Sequence, residues 1–411
     1  MSVSTAGFRR AGAGWGFLVV LVGLLGGNQA RGAGFLIYDL SGEALGKASA
    51  VSASTSEPAA VWFNPAALAF APSGVSLGSV LVVADSEFEP EGGGPRTDTE
   101  GGVFVLPTVF ANARVHQRVA LALGVFPAFG LSIKWPEAWI GRESAIKASI
   151  TTVNVNPTVA VQLLPRLSLG AGFQAVRAAV EFINGLPAPV GGTARLGGGT
   201  WGYGGNVALL FRALPETLHL ALGYRSRVKL DFQGRVDFAP HPDFEPSLPD
   251  QGGSASITLP DVFTLGVMWR PVPRLTLTFD PNLVLWNTYD QLVIDFEQAP
   301  DLVMERDNHP AVTLRFGAEW TFPQSGWALR GGFIFDQNPS PEETLAPSLP
   351  DANRVDFALG VGYTRRWFTA DLGYLLVYFL PSDARGGTEG PPGTYRSVAH
   401  LLGLTLTARF R

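Results

Sequence analysis

The chain has no cysteine, which excludes thiol catalysis, disulfide scaffolds and Cys-ligated zinc or iron–sulfur sites. Charge is scarce as well: Asp, Glu, Lys and Arg make up 16% of 411 residues, against about 25% in ordinary soluble proteins. No apolar run reaches the roughly 18 residues that a transmembrane helix needs. Five histidines (His116, His219, His241, His309 and His400) are scattered without metal-ligand spacing, so no metal or nucleotide cofactor is expected. A formal net charge of −5 offers no basic face to nucleic acid. Hydrophobic residues nevertheless reach 46%, and there are 49 glycines. Apolar composition without apolar runs points to strands that show lipid only every second side chain.

The first 32 residues read as a secretory signal. Arg9 and Arg10 form a positive n-region, Trp15–Gly27 is apolar, and Ala30 and Gly32 occupy the −3 and −1 positions of a small-residue cleavage site. Cleavage there leaves Ala33-Gly34-Phe35 as the new N-terminus. The chain is thereby destined to leave the cytoplasm.

From residue 74 onward the hydrophobic signal alternates with period two. Tyr224, Val228, Leu230 and Phe232 share one parity, and Arg225, Arg227, Lys229 and Asp231 the other. Val312, Leu314, Phe316, Ala318 and Trp320 alternate in the same way with polar neighbours. Gly-, Pro- and Asp-rich stretches punctuate fourteen candidate strands: 74–84, 103–115, 118–134, 146–164, 166–183, 200–213, 217–238, 254–270, 274–296, 310–322, 326–337, 354–365, 367–380 and 395–410. Many exceed the 9–11 tilted residues that cross a bilayer, and the aromatics near their ends suit interfacial girdles. The expected fold is an all-β, 14-stranded antiparallel outer-membrane β-barrel (74–411). It must be closed, because lipid leaves an open edge unsatisfied.

Residues 33–73 do not alternate. Gly42–Ala50 is small and weakly helical, and Asn64-Pro65-Ala66 looks like a helix start with Asn64 as cap and Pro65 at the first helical position. Fourteen strands enclose a lumen too wide for wall side chains to fill. The segment is therefore expected to fold inside as a partly helical plug.

The new N-terminus Ala33-Gly34-Phe35, the run Val61-Trp62-Phe63-Asn64-Pro65-Ala66, and the later Gly130-Leu131-Ser132, Asn154-Val155-Asn156-Pro157, Leu259-Pro260-Asp261 and Leu349-Pro350-Asp351 occur in an order that resembles the FadL/TodX family. These are outer-membrane channels for long-chain fatty acids and aromatic hydrocarbons. The resemblance implies a monomeric barrel with an N-terminal hatch. It also implies a third strand kinked inward to leave a lateral gap toward the membrane. Partners are then a long-chain fatty acid or other hydrophobic ligand, together with outer-membrane lipid and lipopolysaccharide.

Two groups of residues are candidates for the site. Pro127 cannot donate to a ladder, and beside Gly130 it should break the strand around Phe126 and Phe129. With Ala33, Gly34 and Phe35 it forms the expected gate. Arg225, Arg227, Lys229, Arg315 and Arg330 share what reads as lumen parity, where a carboxylate head group would meet them. The competing partners for these cations are Asp231, Asp280, Glu319 and Asp336. Trp135, Trp139 and Ile140 are candidates for an outer collecting surface. Gly74-Val75-Ser76-Leu77-Gly78 fits a nucleophile-elbow pattern but continues as strand, where that pattern needs a turn, so an enzyme is not expected. A general diffusion porin for polar solutes is the competing transport reading, disfavoured by the plug.

Overall fold

The computed structural model describes residues 35–386 and 390–410. The expected signal segment, its cleavage point, Ala33 and Gly34 lie outside the described residues. Fourteen antiparallel strands close into a barrel. They are β1 (Ser73–Pro90), β2 (Val103–His116), β3 (Val119–Phe126 and Gly130–Lys134), β4 (Lys147–Leu164), β5 (Leu167–Gly185), β6 (Thr193–Leu214) and β7 (Leu218–Arg225 and Val228–Ala239). Then follow β8 (Gln251–Leu259 and Val262–Val272), β9 (Leu275–Val284 and Gln291–Phe296), β10 (Leu302–Glu305 and Ala311–Phe322), β11 (Trp327–Asp336), β12 (Arg354–Arg365), β13 (Phe368–Phe379) and β14 (Gly393–Phe410). The ring shuts where β1 pairs with β14, from Ser73 opposite Phe410 to Pro90 opposite Gly393. Strand ends drift from the sequence reading, but each expected strand has its counterpart.

One rim carries short turns, such as 117–118, 165–166 and 366–367, and the other carries the long loops. Short turns mark the periplasmic side of such barrels. The periplasmic half obeys the lipid rule. Leu220, Leu222, Leu265, Phe316, Trp320 and Leu404 point outward and are exposed, while Asn154, Asn206, Asp280, Asn282, Arg315 and Asp336 point inward and are buried.

Residues 35–72 sit inside the ring. Helix α1 (Gly42–Gly46) is capped by Ser41, whose side chain accepts from the Ala44 amide. Helix α2 (Ala60–Phe63) leads into a 3₁₀ turn, Pro65–Ala69, where Asn64 accepts from the Ala66 amide at 3.0 Å. The expected cap and proline position are thus in place. Wall glycines make room for this segment. A Cβ at Gly170 would collide with the Pro65–Ala66 backbone, and one at Gly373 would lie 2.6 Å from the Gly42 carbonyl oxygen. Hydrogen bonds then fasten the plug: Gly42 N to Thr405 Oγ1 at 2.9 Å, Ser52 N to Asp280 Oδ2 at 2.7 Å, and Ser168 Oγ to the Ala66 carbonyl at 2.8 Å.

Candidate functional site: a broken strand, a seated N-terminus and an apolar chamber

β3 pairs with β4 from Val119/Val161 to Phe126/Asn154, stops, and resumes at Gly130/Thr151. Pro127 and Ala128 belong to no strand. On its other side β3 pairs with β2 only as far as Val125/Val109. Among the described residues, the outer part of β2 and Gly130–Lys134 of β3 share no ladder. The residues on either side of Pro127 therefore border an interruption in the wall.

The N-terminal segment occupies that interruption from inside. Ile37 N donates to the Ala128 carbonyl at 2.9 Å, Gly130 N donates to the Phe35 carbonyl at 2.8 Å, and Leu36 bridges Phe129. Backbone groups that β3 lost from its ladder are thus satisfied by residues 35–37, as buried amides require. Thr152 on β4 completes the patch: its hydroxyl donates to the Phe129 carbonyl at 2.6 Å and accepts from the Phe129 amide at 3.0 Å.

Aromatic rings gather around this junction. Phe35 is 1% exposed and meets Trp286 at 5.1 Å, Tyr289 at 5.8 Å and Phe129 at 6.1 Å between ring centres. Phe126 packs on Trp62 at 5.3 Å and Phe110 at 5.2 Å. Sequence reasoning missed Trp286, Tyr289 and Thr152. One signal was available: the inward row of β9 runs Thr276, Thr278, Asp280, Asn282 and then turns apolar at Val284 and Trp286.

Above the junction, toward the long loops, the barrel interior is largely apolar, with Glu143, Lys147, Asn184 and Arg306 among its lining. A chamber of about 240 Å³ is lined by Phe182, Leu196, Val236, Leu292 and Ile294 among others. It continues into a smaller recess at Phe232 and Ile257. Leu292 and Ile294 lie on the second piece of β9, just beyond the Trp286 and Tyr289 that hold Phe35.

The expected cation cluster does not form. At Ser226–Arg227 the backbone of β7 shifts, and its inward face changes parity: Ala221 and Arg225 are buried below it, Val228, Leu230 and Phe232 above it. Arg227 and Lys229 consequently point away from the lumen, pairing with Asp261 at 2.7 Å and Asp231 at 2.8 Å. The sequence reading placed both inside because the apolar residues keep one parity throughout. Arg225 does face inward, but it donates to Gln174 Oε1 at 2.5 Å and the Trp62 carbonyl at 3.1 Å, with its guanidinium 4.1 Å from the centre of the Trp62 ring. Arg315 lies 3.6 Å from the centre of the Tyr38 ring. Arg330 is clamped between Glu319 at 2.7 Å and Asp371 at 2.6 Å. The geometry gives the inward arginines work in seating the plug.

Inside the plug, burial raises the carboxyl pKa of Asp39 and Glu57 and lifts the Tyr38 phenol to about 12. Burial acts the same way on Glu43, but Lys47 at 2.6 Å outweighs it and holds that carboxyl below its usual range.

Trp135 and Trp139 are not an exposed collecting surface. They stack at 4.4 Å and are buried with Phe88 and Tyr395 beneath the long loops; Ile140 alone of the three is exposed. Ser76 lies mid-strand in β1 with its hydroxyl 2.8 Å from Thr407 Oγ1, so the Gly-x-Ser-x-Gly match is not on a turn.

Residues 23–410 match the family described as outer membrane protein transport protein (OMPP1/FadL/TodX). The long-chain fatty acid transport protein of Escherichia coli K12 is 25% identical, over 91% of this chain and 93% of its own. Outer membrane protein P1 of Haemophilus influenzae is 26% identical, over 94% and 97%. Among solved structures, a Pseudomonas aeruginosa FadL homologue superposes with a TM-score of 0.84 at 19% identity, covering 92% of this chain and all of that one. The Pseudomonas putida toluene transporter TodX gives 0.74 at 16%, covering 93% and 99%. These two likenesses are of fold. The match over nearly the whole chain, with the plugged fourteen-strand barrel, places this protein in the OMPP1/FadL/TodX family of outer-membrane transporters of hydrophobic compounds.

Proposed function

We propose that the protein is a passive channel for long-chain fatty acids and similar amphiphiles, which it releases sideways into the outer membrane. The ligand collects in the apolar chamber under the long loops, displaces Phe35 from its seat on Trp286 and Tyr289, and leaves through the interruption at Phe126–Gly130. A hydrophobe released there stays in lipid rather than crossing the aqueous periplasm. The observation that carries this reading is the pairing of residues 35–37 with 128–130. The wall opening and the N-terminal segment close each other, so moving one uncovers the other.

Aromatic hydrocarbons are the second reading by the same route, favoured by the ring cluster around Phe35. A general diffusion porin is disfavoured by the densely fastened plug.

The test is uptake of labelled oleate and of toluene by cells lacking their own hydrophobe channel and expressing this gene. Deleting Ala33–Phe35, or replacing 126–130 with a regular Val/Thr strand, is expected to abolish uptake while the barrel still assembles. Normal uptake by both variants contradicts the route. Uptake of toluene alone keeps the route and changes the substrate.

A further inference from the structure

We propose that the channel accepts its substrate only in uncharged form: neutral hydrophobes directly, and carboxylic amphiphiles as the protonated acid. The inference rests on the reading of chamber and side gap as the ligand route. The lining names the substrate class through what each nearby charge is already doing.

Consider a carboxylate head descending that route. At the mouth Lys147 is bound to Glu181, which also holds Arg195 at 2.6 Å. Glu143 adds an acid to the same rim. The Arg306 guanidinium reaches the Met304 thioether at 3.6 Å. Farther in, Phe182, Leu196, Val236, Leu292 and Ile294 offer no donor.

At the foot the charges belong to the plug and its seat. Asp39, four residues from Phe35, accepts from Ser49 Oγ at 2.8 Å. Arg354 is bound to Asp336, and Asp356 is buried nearby on the same strand as Arg354. Arg225 and Arg315 are committed to Trp62 and Tyr38 as described above. Tyr38 thus lays a phenol ring against Arg315, and Asp39 follows it in the chain.

A carboxylate taken from water into an apolar chamber needs a charged or multiply hydrogen-bonding partner. Here it would have to draw Lys147 from Glu181 or Arg354 from Asp336, or pull Arg225 and Arg315 off the plug groups they hold. The protonated acid avoids that exchange. Its proton comes from bulk water before binding and travels with the acid into the membrane, so no group on the protein changes state.

The test uses the purified full-length mature barrel in detergent, with quenching of tryptophan emission as the signal and decanol and decanoic acid as probes. Decanol is expected to bind with the same Kd within twofold at pH 5 and pH 8. Decanoic acid is expected to weaken more than about a hundredfold over that range, following its protonated fraction, about tenfold per pH unit above its own pKa. An Ile294→Arg variant, which places an unpaired cation in the chamber, should gain decanoate binding at pH 8.

Decanoate binding at pH 8 within threefold of pH 5 overturns the proposal and leaves the route intact. Failure of decanol to bind at any pH removes the route as well. A folded Ile294→Arg barrel with no gain at pH 8 overturns the argument that a missing partner excludes the anion.

Discussion

Two halves of one strand follow opposite rules. In the periplasmic half of β7, Leu220 and Leu222 point outward and Arg225 inward; eight residues on from Leu222, Leu230 points inward and Lys229 outward. β8 does the same, with Phe263 and Leu265 outward but Ile257 and Leu259 inward. The switch falls at one level in both, at Ser226–Arg227 and Pro260–Asp261. Asp261 stitches it by accepting from Tyr224 Oη at 2.8 Å, Arg227 N at 2.9 Å and Arg227 Nε at 2.7 Å. The difference is one of solvent. Below the switch lipid lies outside, and inside a polar wall face hydrogen-bonds the plug; above it water lies outside and the apolar chamber inside.

The sharpest way to break that contrast is to exchange charge and hydrocarbon across it. Leu222→Arg faces the hydrocarbon and should cost about 2–4 kcal/mol, measured by urea unfolding into liposomes. Lys229→Leu, above the switch and in water, should fall within about 0.5 kcal/mol. A gain of about 2–4 kcal/mol from Lys229→Leu would mean that β7 above Ser226 still faces lipid.

Removing the stitch tests the same boundary from within. Asp261→Ala leaves the Arg227 amide, the Arg227 guanidinium and Tyr224 Oη without their acceptor. It should cost about 1.5–3 kcal/mol, together with a loss of decanol affinity as the chamber wall relaxes. A stable variant with unchanged affinity would show that the parity change is held elsewhere.

The smallest effect concerns the plug. Burial raises the Glu57 carboxyl, so the folded state holds that proton more tightly than the unfolded state does. Its contribution to stability is present at low pH and declines as pH rises above the unfolded carboxylate range. Glu57→Gln mimics the protonated form. It should raise Tm at pH 8 and leave Tm unchanged at pH 4; a rise at both would assign the gain to packing.

Much of the fold is written locally. Alternation, glycine-rich turns and strand length are properties of short windows, and they give the barrel, the number of strands and the non-alternating plug. Pro127 beside Gly130 marks the strand break for the same reason: a missing amide donor is visible in one residue. The change of face in β7 is not visible. The apolar residues stay on even numbers from Leu220 through Phe232 while the backbone moves that row from outside to inside. No hydrophobic pattern distinguishes lipid outside from an apolar chamber inside. For the same reason Arg227 and Lys229 read as lumen cations, and Trp135 and Trp139 read as surface when loop packing buries them. The partners of Phe35 come from β9, about 250 residues away, and only closure of the ring brings them together.

The account turns on residues 35–37 and 128–130 separating during transport. The chain lacks cysteine, so a Leu36→Cys, Phe129→Cys pair can be introduced without competing thiols. The two residues face each other across an antiparallel bridge, where Cα atoms lie about 4.5–5.5 Å apart, within disulfide range. Uptake should be lost when the pair is oxidised and restored by reductant, with each single-cysteine variant indifferent to both. Equal uptake in the oxidised and reduced states would show that the ligand leaves without moving the N-terminal segment from the broken strand.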